Sequence, residues 1–106
     1  MDIGKVIITL REKRGLSQGR LSELAGVSQT FLSLIENGKK NPSATTIGKI
    51  CKALDIPKSM IHLYMVDPED VPPENKEPFD EFWPIAMDHL HRIFKVPSND
   101  DSINTK

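Results

Sequence analysis

Residues 17–41 read SQGRLSELAGVSQTFLSLIENGKKN, and the fold turns on them. Ser17 and Ser28 each suit a helix N-cap, where a hydroxyl accepts from the unpaired backbone N–H groups of the first turn. After Ser17 the apolar residues Leu21, Leu24 and Ala25 recur at helical spacing. Gly26 stands where that helix must stop, because the left-handed conformation that ends many helices has no steric cost for glycine. Phe31, Leu32 and Ile35 then form a second apolar stripe, which Asn37-Gly38 ends. Two helices of about eight residues around a glycine-bearing turn make a helix-turn-helix.

With Asn41-Pro42-Ser43 after it, this stretch resembles the XRE, or lambda-repressor-like, class of DNA-binding domains. The resemblance runs from Asp2 to Met65. Ser17-Gln18, Ala25-Gly26-Val27-Ser28 and Ile35-Glu36-Asn37-Gly38-Lys39 carry it. It implies an all-α fold, with a compact five-helix domain over 1–66 whose third helix reads base edges in the major groove of double-stranded DNA.

With Ser28 as cap, Gln29, Thr30, Ser33 and Leu34 point outward from that third helix. Glutamine pairs with adenine N6 and N7, a hydroxyl bonds base or phosphate, and aliphatic carbon suits a thymine methyl. For Leu34 the other reading is a half-buried packing residue. Gln18 matches the family's phosphate clamp, reinforced by the N-terminus of its own helix. Arg20, Ser28, Lys39, Lys40 and Asn41 are further phosphate candidates, although a solvated loop also accounts for the two lysines. Phe31 is expected against the domain or the sugar–phosphate backbone. Arg11 and Glu36 match a largely buried ion pair that in the family ties the first helix to the end of the third.

The chain departs from the family in places. Gly19-Arg20 replaces a commoner acidic pair, which puts a cation at the unfavourable end of the helix dipole. Ser22 replaces alanine at the helix crossing and is small enough to leave it intact. Val6 and Ile8 stand where polar residues are commoner. They are either ordinary surface hydrophobes or a contact for the C-terminal segment or a partner.

Composition narrows the class. A chain of 106 residues holds one small domain and an extension. No apolar run approaches the ~18 residues of a membrane span. Met1 leads directly into an amphipathic segment, so no signal peptide is expected. A single cysteine, Cys51, excludes an internal disulfide and suits a reducing cytoplasm. The net charge of −1 conceals an asymmetry. Residues 1–66 carry ten Lys/Arg against five Asp/Glu, a net +5, while residues 67–106 carry four against ten, a net −6. A basic compact half suits a polyanion, and an acidic remainder limits promiscuous binding.

Asp2 is expected to cap a first helix reaching about Lys13, with Ile3, Ile7 and Leu10 inward. Ser43 caps a fourth helix to about Leu54 with Ile47, Ile50, Cys51 and Leu54 inward, so Cys51 is a core residue and not a nucleophile. Pro57 opens a fifth helix to about Met65. Met60, Ile61 and Tyr64 are expected to supply a dimer contact there, as in resembling repressors.

Residues 67–78 are acidic and proline-rich and are expected to be an extended linker. Over 79–96, Phe79, Phe82, Trp83, Met87, Leu90 and Phe94 fall at helical spacing, in a segment holding four of the six aromatics. Pro84 limits this amphipathic helix: it starts near Trp83, or a short turn precedes it and a kink follows. Its apolar face must pack on its own domain, on a second copy or on another protein. His89 and His91 diverge on a helix and make a poor metal pair. Residues 97–106, PSNDDSINTK, are expected to be a disordered tail.

The leading expectation is a sequence-specific DNA-binding regulator, a homodimeric repressor on an inverted repeat. The alternative is a protein-binding regulator, such as an antitoxin or an anti-repressor-controlled factor, whose C-terminal helix captures a partner. An enzyme is disfavoured: there is no paired nucleophile and base, no metal constellation and no phosphate-cradling loop. No cofactor, membrane contact or small-molecule effector is expected.

Overall fold

The computed structural model describes residues 2–96, so the tail expected over 97–106 lies outside the described residues. Every regular element among them is helical. The chain divides into two compact units, Met1–Met65 and Val66–Lys106.

The first unit holds α1 (Ile3–Lys13), α2 (Gln18–Ala25), α3 (Gln29–Glu36), α4 (Ala44–Leu54) and α5 (Lys58–Tyr64). Each of the first four begins at a side-chain cap. The Asp2 carboxylate accepts from the Lys5 N–H at 2.9 Å, and the Ser17 and Ser28 hydroxyls accept from Arg20 and Phe31, each at 3.0 Å. Ser43 accepts from Thr46 at 3.1 Å. Gly26 ends α2 with φ +72°, and Asp55 ends α4 in the same left-handed region at +57°.

The core joins Ile7 and Leu10 of α1, Leu21 of α2, Leu32 and Ile35 of α3, and Ile50, Cys51 and Leu54 of α4. α1 lies so close on the end of α3 that a Cβ at Gly4 would stand 2.5 Å from the Ile35 carbonyl oxygen and 2.8 Å from that of Glu36. Arg14 closes the other side. Its Nε donates to the Leu54 carbonyl at 2.9 Å and its Nη2 to that of Asp55 at 3.0 Å, placing a cation on the negative end of α4.

Several expectations need correcting here. Val6 is fully buried, which excludes the surface reading, whereas Ile8 is half-buried. Ile47 is only half-buried. Leu24 is 46% exposed, because an eight-residue helix turns only Leu21, Ser22 and Ala25 inward. Met60 and Ile61 are fully buried and leave no surface for a second chain. Tyr64 is half-buried, with the Lys13 ammonium 6.0 Å from its ring centre. Burial lowers the Lys13 pKa and raises that of Tyr64 to about 12, against the opposing pull of Arg14.

In the second unit the acidic segment is not simply extended. It forms two single 3-10 turns, Pro68–Asp70 and Pro73–Asn75. A proline at the first position presets φ in each, and Asp67 caps the first by accepting from the Glu69 N–H at 2.9 Å. Lys76 Nζ reaches back to the Pro68 carbonyl at 3.0 Å. α6 (Lys76–Ile93) therefore starts earlier than expected, and it runs through Pro84. The missing N–H there removes one helical bond, on an exposed side where water can replace it. Phe79 and Trp83 stack one turn apart, centroids 5.4 Å apart.

Candidate nucleic-acid interface

Gln18, Gln29, Thr30, Ser33 and Leu34 line one shallow hollow of about 360 Å³ where the start of α2 meets the outer side of α3. The caps bring this about. Ser17 starts α2 at Gln18 and Ser28 starts α3 at Gln29, so both helices present their first turn to the same place. Gln29 and Thr30 are exposed, while Ser33 and Leu34 are half-buried, so Leu34 both lines the hollow and packs.

Behind the hollow runs a chain of hydrogen bonds. Arg11 Nε donates to Glu36 Oε2 at 2.9 Å and Nη2 donates to Oε1 at 3.1 Å, a two-pronged ion pair with side chains only 14% and 4% exposed. Arg11 Nη1 also donates to the Leu16 carbonyl at 3.1 Å. Gln18 Nε2 donates to the same Glu36 Oε1 at 3.0 Å, and Gln29 Nε2 donates to Gln18 Oε1 at 3.4 Å. The side chains at the surface are thus oriented from a charge pair beneath it. A charge-assisted bond at that anchor is stronger than a neutral one.

One feature at this place escapes the sequence. Gly19 lies beside Gln29: a Cβ there would stand 3.4 Å from Gln29 Oε1, an ordinary contact. Its only signal is the departure from the acidic pair. Ser22, the other departure, is buried at the crossing and donates to the Gly19 carbonyl at 2.7 Å.

The remaining candidates flank the hollow. Lys39, Lys40 and Asn41 are exposed in the loop after α3, held by Gly38 at φ +76° and by the Lys39 and Lys40 N–H groups, which both donate to the Leu34 carbonyl. Arg20 is exposed but engaged, donating to Glu23 Oε1 at 3.1 Å. The Ser28 oxygen serves its cap and keeps its own proton to donate. Phe31 is half-buried.

The surface offers hydrogen-bond donors and acceptors, one aliphatic patch and exposed cations in the neighbouring loop. No group of acidic, histidine or cysteine side chains among the described residues could hold a metal. Burial pushes the Cys51 thiol up to about 11, so it is no nucleophile. No described helix is long and apolar enough to cross a membrane.

Residues 7–61 match the helix-turn-helix family. A putative HTH-type transcriptional regulatory protein of Methanocaldococcus jannaschii is 39% identical over 93 residues, which are 85% of this chain but 29% of that protein. An uncharacterized HTH-type transcriptional regulator of Sinorhizobium fredii is 32% identical over 71 residues, 67% of this chain and 87% of its own. The crystal structure of SinR, master regulator for biofilm formation, in complex with DNA superposes with a TM-score of 0.55 at 34% identity. That match covers 57% of this chain and 98% of the chain in that structure. The chain belongs to the XRE-type helix-turn-helix family, a family of DNA-binding transcriptional regulators and not of enzymes.

Proposed function

We propose that the protein is a sequence-specific transcriptional regulator, a homodimeric cytoplasmic repressor that binds an inverted repeat with α3 in the major groove. The observation that carries this reading is the hollow itself: Gln18, Gln29, Thr30, Ser33 and Leu34 stand together where α2 meets α3. Gln29, Thr30, Ser33 and Leu34 read base edges, Gln29 by its amide, Thr30 and Ser33 by their hydroxyls and Leu34 by contact with a thymine methyl. Gln18, the Ser28 hydroxyl, Lys39, Lys40 and Asn41 contact phosphates and set the register. Arg20 joins them by exchanging Glu23 for a phosphate. The similarity to SinR, solved with DNA, supports the same use of the domain.

Two copies are needed because one short recognition helix reads only a few base pairs. A two-fold pair places two such helices about 34 Å apart, one helical turn of DNA. The second unit supplies the pairing, since Met60 and Ile61 are fully buried while α6 carries exposed large hydrophobes.

In vitro selection from random duplex DNA at moderate salt tests the reading. An inverted repeat with half-sites about one helical turn apart is the expected product. Recovery of no common motif overturns it.

A further inference from the structure

α6 carries two apolar stripes, not one. Phe79, Trp83, Met87 and Leu90 fall on one side and are half-buried. Phe82, Ile85 and Ile93 fall on another, with His89 between them, and are 62%, 58% and 68% exposed. Three large hydrophobes exposed in one line are more than scattered surface residues.

We infer that this outer stripe is covered by the same stripe of a second copy, running antiparallel. The inference rests on the dimeric reading above and specifies its contact. The charges select the occupant. Glu81 and Arg92 stand on the same flank of the stripe, eleven residues apart, with opposite sign; that separation is about 16 Å along a helix. A two-fold axis across the helix reverses the copy and sets identical flanks against each other. Glu81 then meets Arg92 of the copy, and Arg92 meets Glu81 of the copy. The same register sets Phe82 beside Ile93 of the copy and Ile85 opposite His89 of the copy. A parallel pair would put the Glu81 flank against the one bearing Phe79 and Leu90, where no charge answers it. Asp88, one turn before Arg92, accepts from that guanidinium and keeps it on the flank.

A single helix pair is a modest contact, and a modest one is enough here. Two domains on adjacent half-sites hold their second units at an effective concentration in the millimolar range.

Sedimentation equilibrium of the full chain, beside anisotropy on a single half-site duplex, tests this pairing. The wild type is expected to dimerise, and Phe82→Glu to weaken the dimer tenfold or more, roughly. Glu81→Arg alone and Arg92→Glu alone each bring like charges together and weaken self-association by a similar factor. Mixed in equal amounts, those two variants are expected to form a heterodimer of wild-type strength, a rescue that misfolded chains could not give. Half-site binding is expected to be unchanged in all of them, which separates this pairing from the DNA-binding reading. A wild type that stays monomeric up to about millimolar concentration, charge variants that self-associate normally, or a mixture that stays monomeric would each overturn the antiparallel contact.

Discussion

Gln18 holds Gln29: its Oε1 accepts from the Gln29 amide at 3.4 Å while its own Nε2 donates to Glu36 at 3.0 Å. A residue at the first position of α2 thereby fixes the outward residue at the first position of α3, and the Arg11–Glu36 ion pair fixes both. Stability and recognition share one set of side chains, so changes at the buried end are expected to be felt at the surface.

Replacing Glu36 tests the anchor. Glu36→Gln keeps the shape but strands the Arg11 guanidinium, which is only 14% exposed. Stranding a buried charge costs on the order of 3 kcal/mol, which for a domain of this size lowers the melting midpoint by roughly 12–24 °C. An unchanged midpoint in a thermal melt would show that the pair contributes little.

Gly4 makes a prediction whose sign is informative. On an exposed helix Gly→Ala stabilises by up to about 1 kcal/mol. Here the added methyl would meet backbone oxygens of α3 at 2.5 and 2.8 Å. Gly4→Ala is therefore expected to destabilise by roughly 1–3 kcal/mol through overpacking, read from the urea midpoint. A gain in stability would mean that α1 does not press on the end of α3.

Alkaline pH should loosen the first unit in two steps. Burial raises Cys51 from 9.0 to about 11, against the pull of Lys58, and raises Tyr64 from 10.0 to about 12. The unfolded chain ionises each group first. Stability held by the neutral forms is complete below the ordinary values and is lost as pH rises from 9 to 11 for Cys51 and from 10 to 12 for Tyr64. Urea midpoints are expected to fall across that range, and Cys51→Ala to flatten the lower part. A flat profile for the unaltered chain would contradict the burial of both groups.

The loop lysines should act on affinity without touching preference. Lys39→Ala removes a phosphate contact, so it is expected to weaken all duplexes alike and reduce the salt slope by about one. A change confined to one operator sequence would show that Lys39 reads a base.

Local chemistry was legible before the fold was known, and tertiary consequences were not. The serine caps at 17, 28 and 43 and the glycine stop at 26 depend on neighbours within a few residues, and each stands as expected. Leu24 could not be placed from periodicity alone, since a helix of two turns has inward positions for only part of its apolar content. Periodicity leaves Val6 to the surface or a contact and gives Met60 and Ile61 to a dimer, whereas all three are fully buried, because five short helices close more tightly than a count of inward positions allows. Pro84 is expected to start or kink α6, yet the helix runs through it, because a proline on an exposed side leaves its orphaned carbonyl to water. The hollow's members were each identifiable from the cap at Ser28 and the family pattern. Their linkage through Gln18 joins residues eleven and eighteen apart, which no local pattern contains.

The most direct measurement is of discrimination, not affinity. Binding of the unaltered chain and of Gln29→Ala should be compared on the selected operator and on a set with each half-site base pair changed in turn. The unaltered chain is expected to lose about 1–3 kcal/mol at the position Gln29 reads. Gln29→Ala should lose that one preference, keeping the others and the salt dependence. If Gln29→Ala discriminates among all positions as the unaltered chain does, α3 is not reading bases through this residue, and the assignment of the hollow as the recognition surface fails.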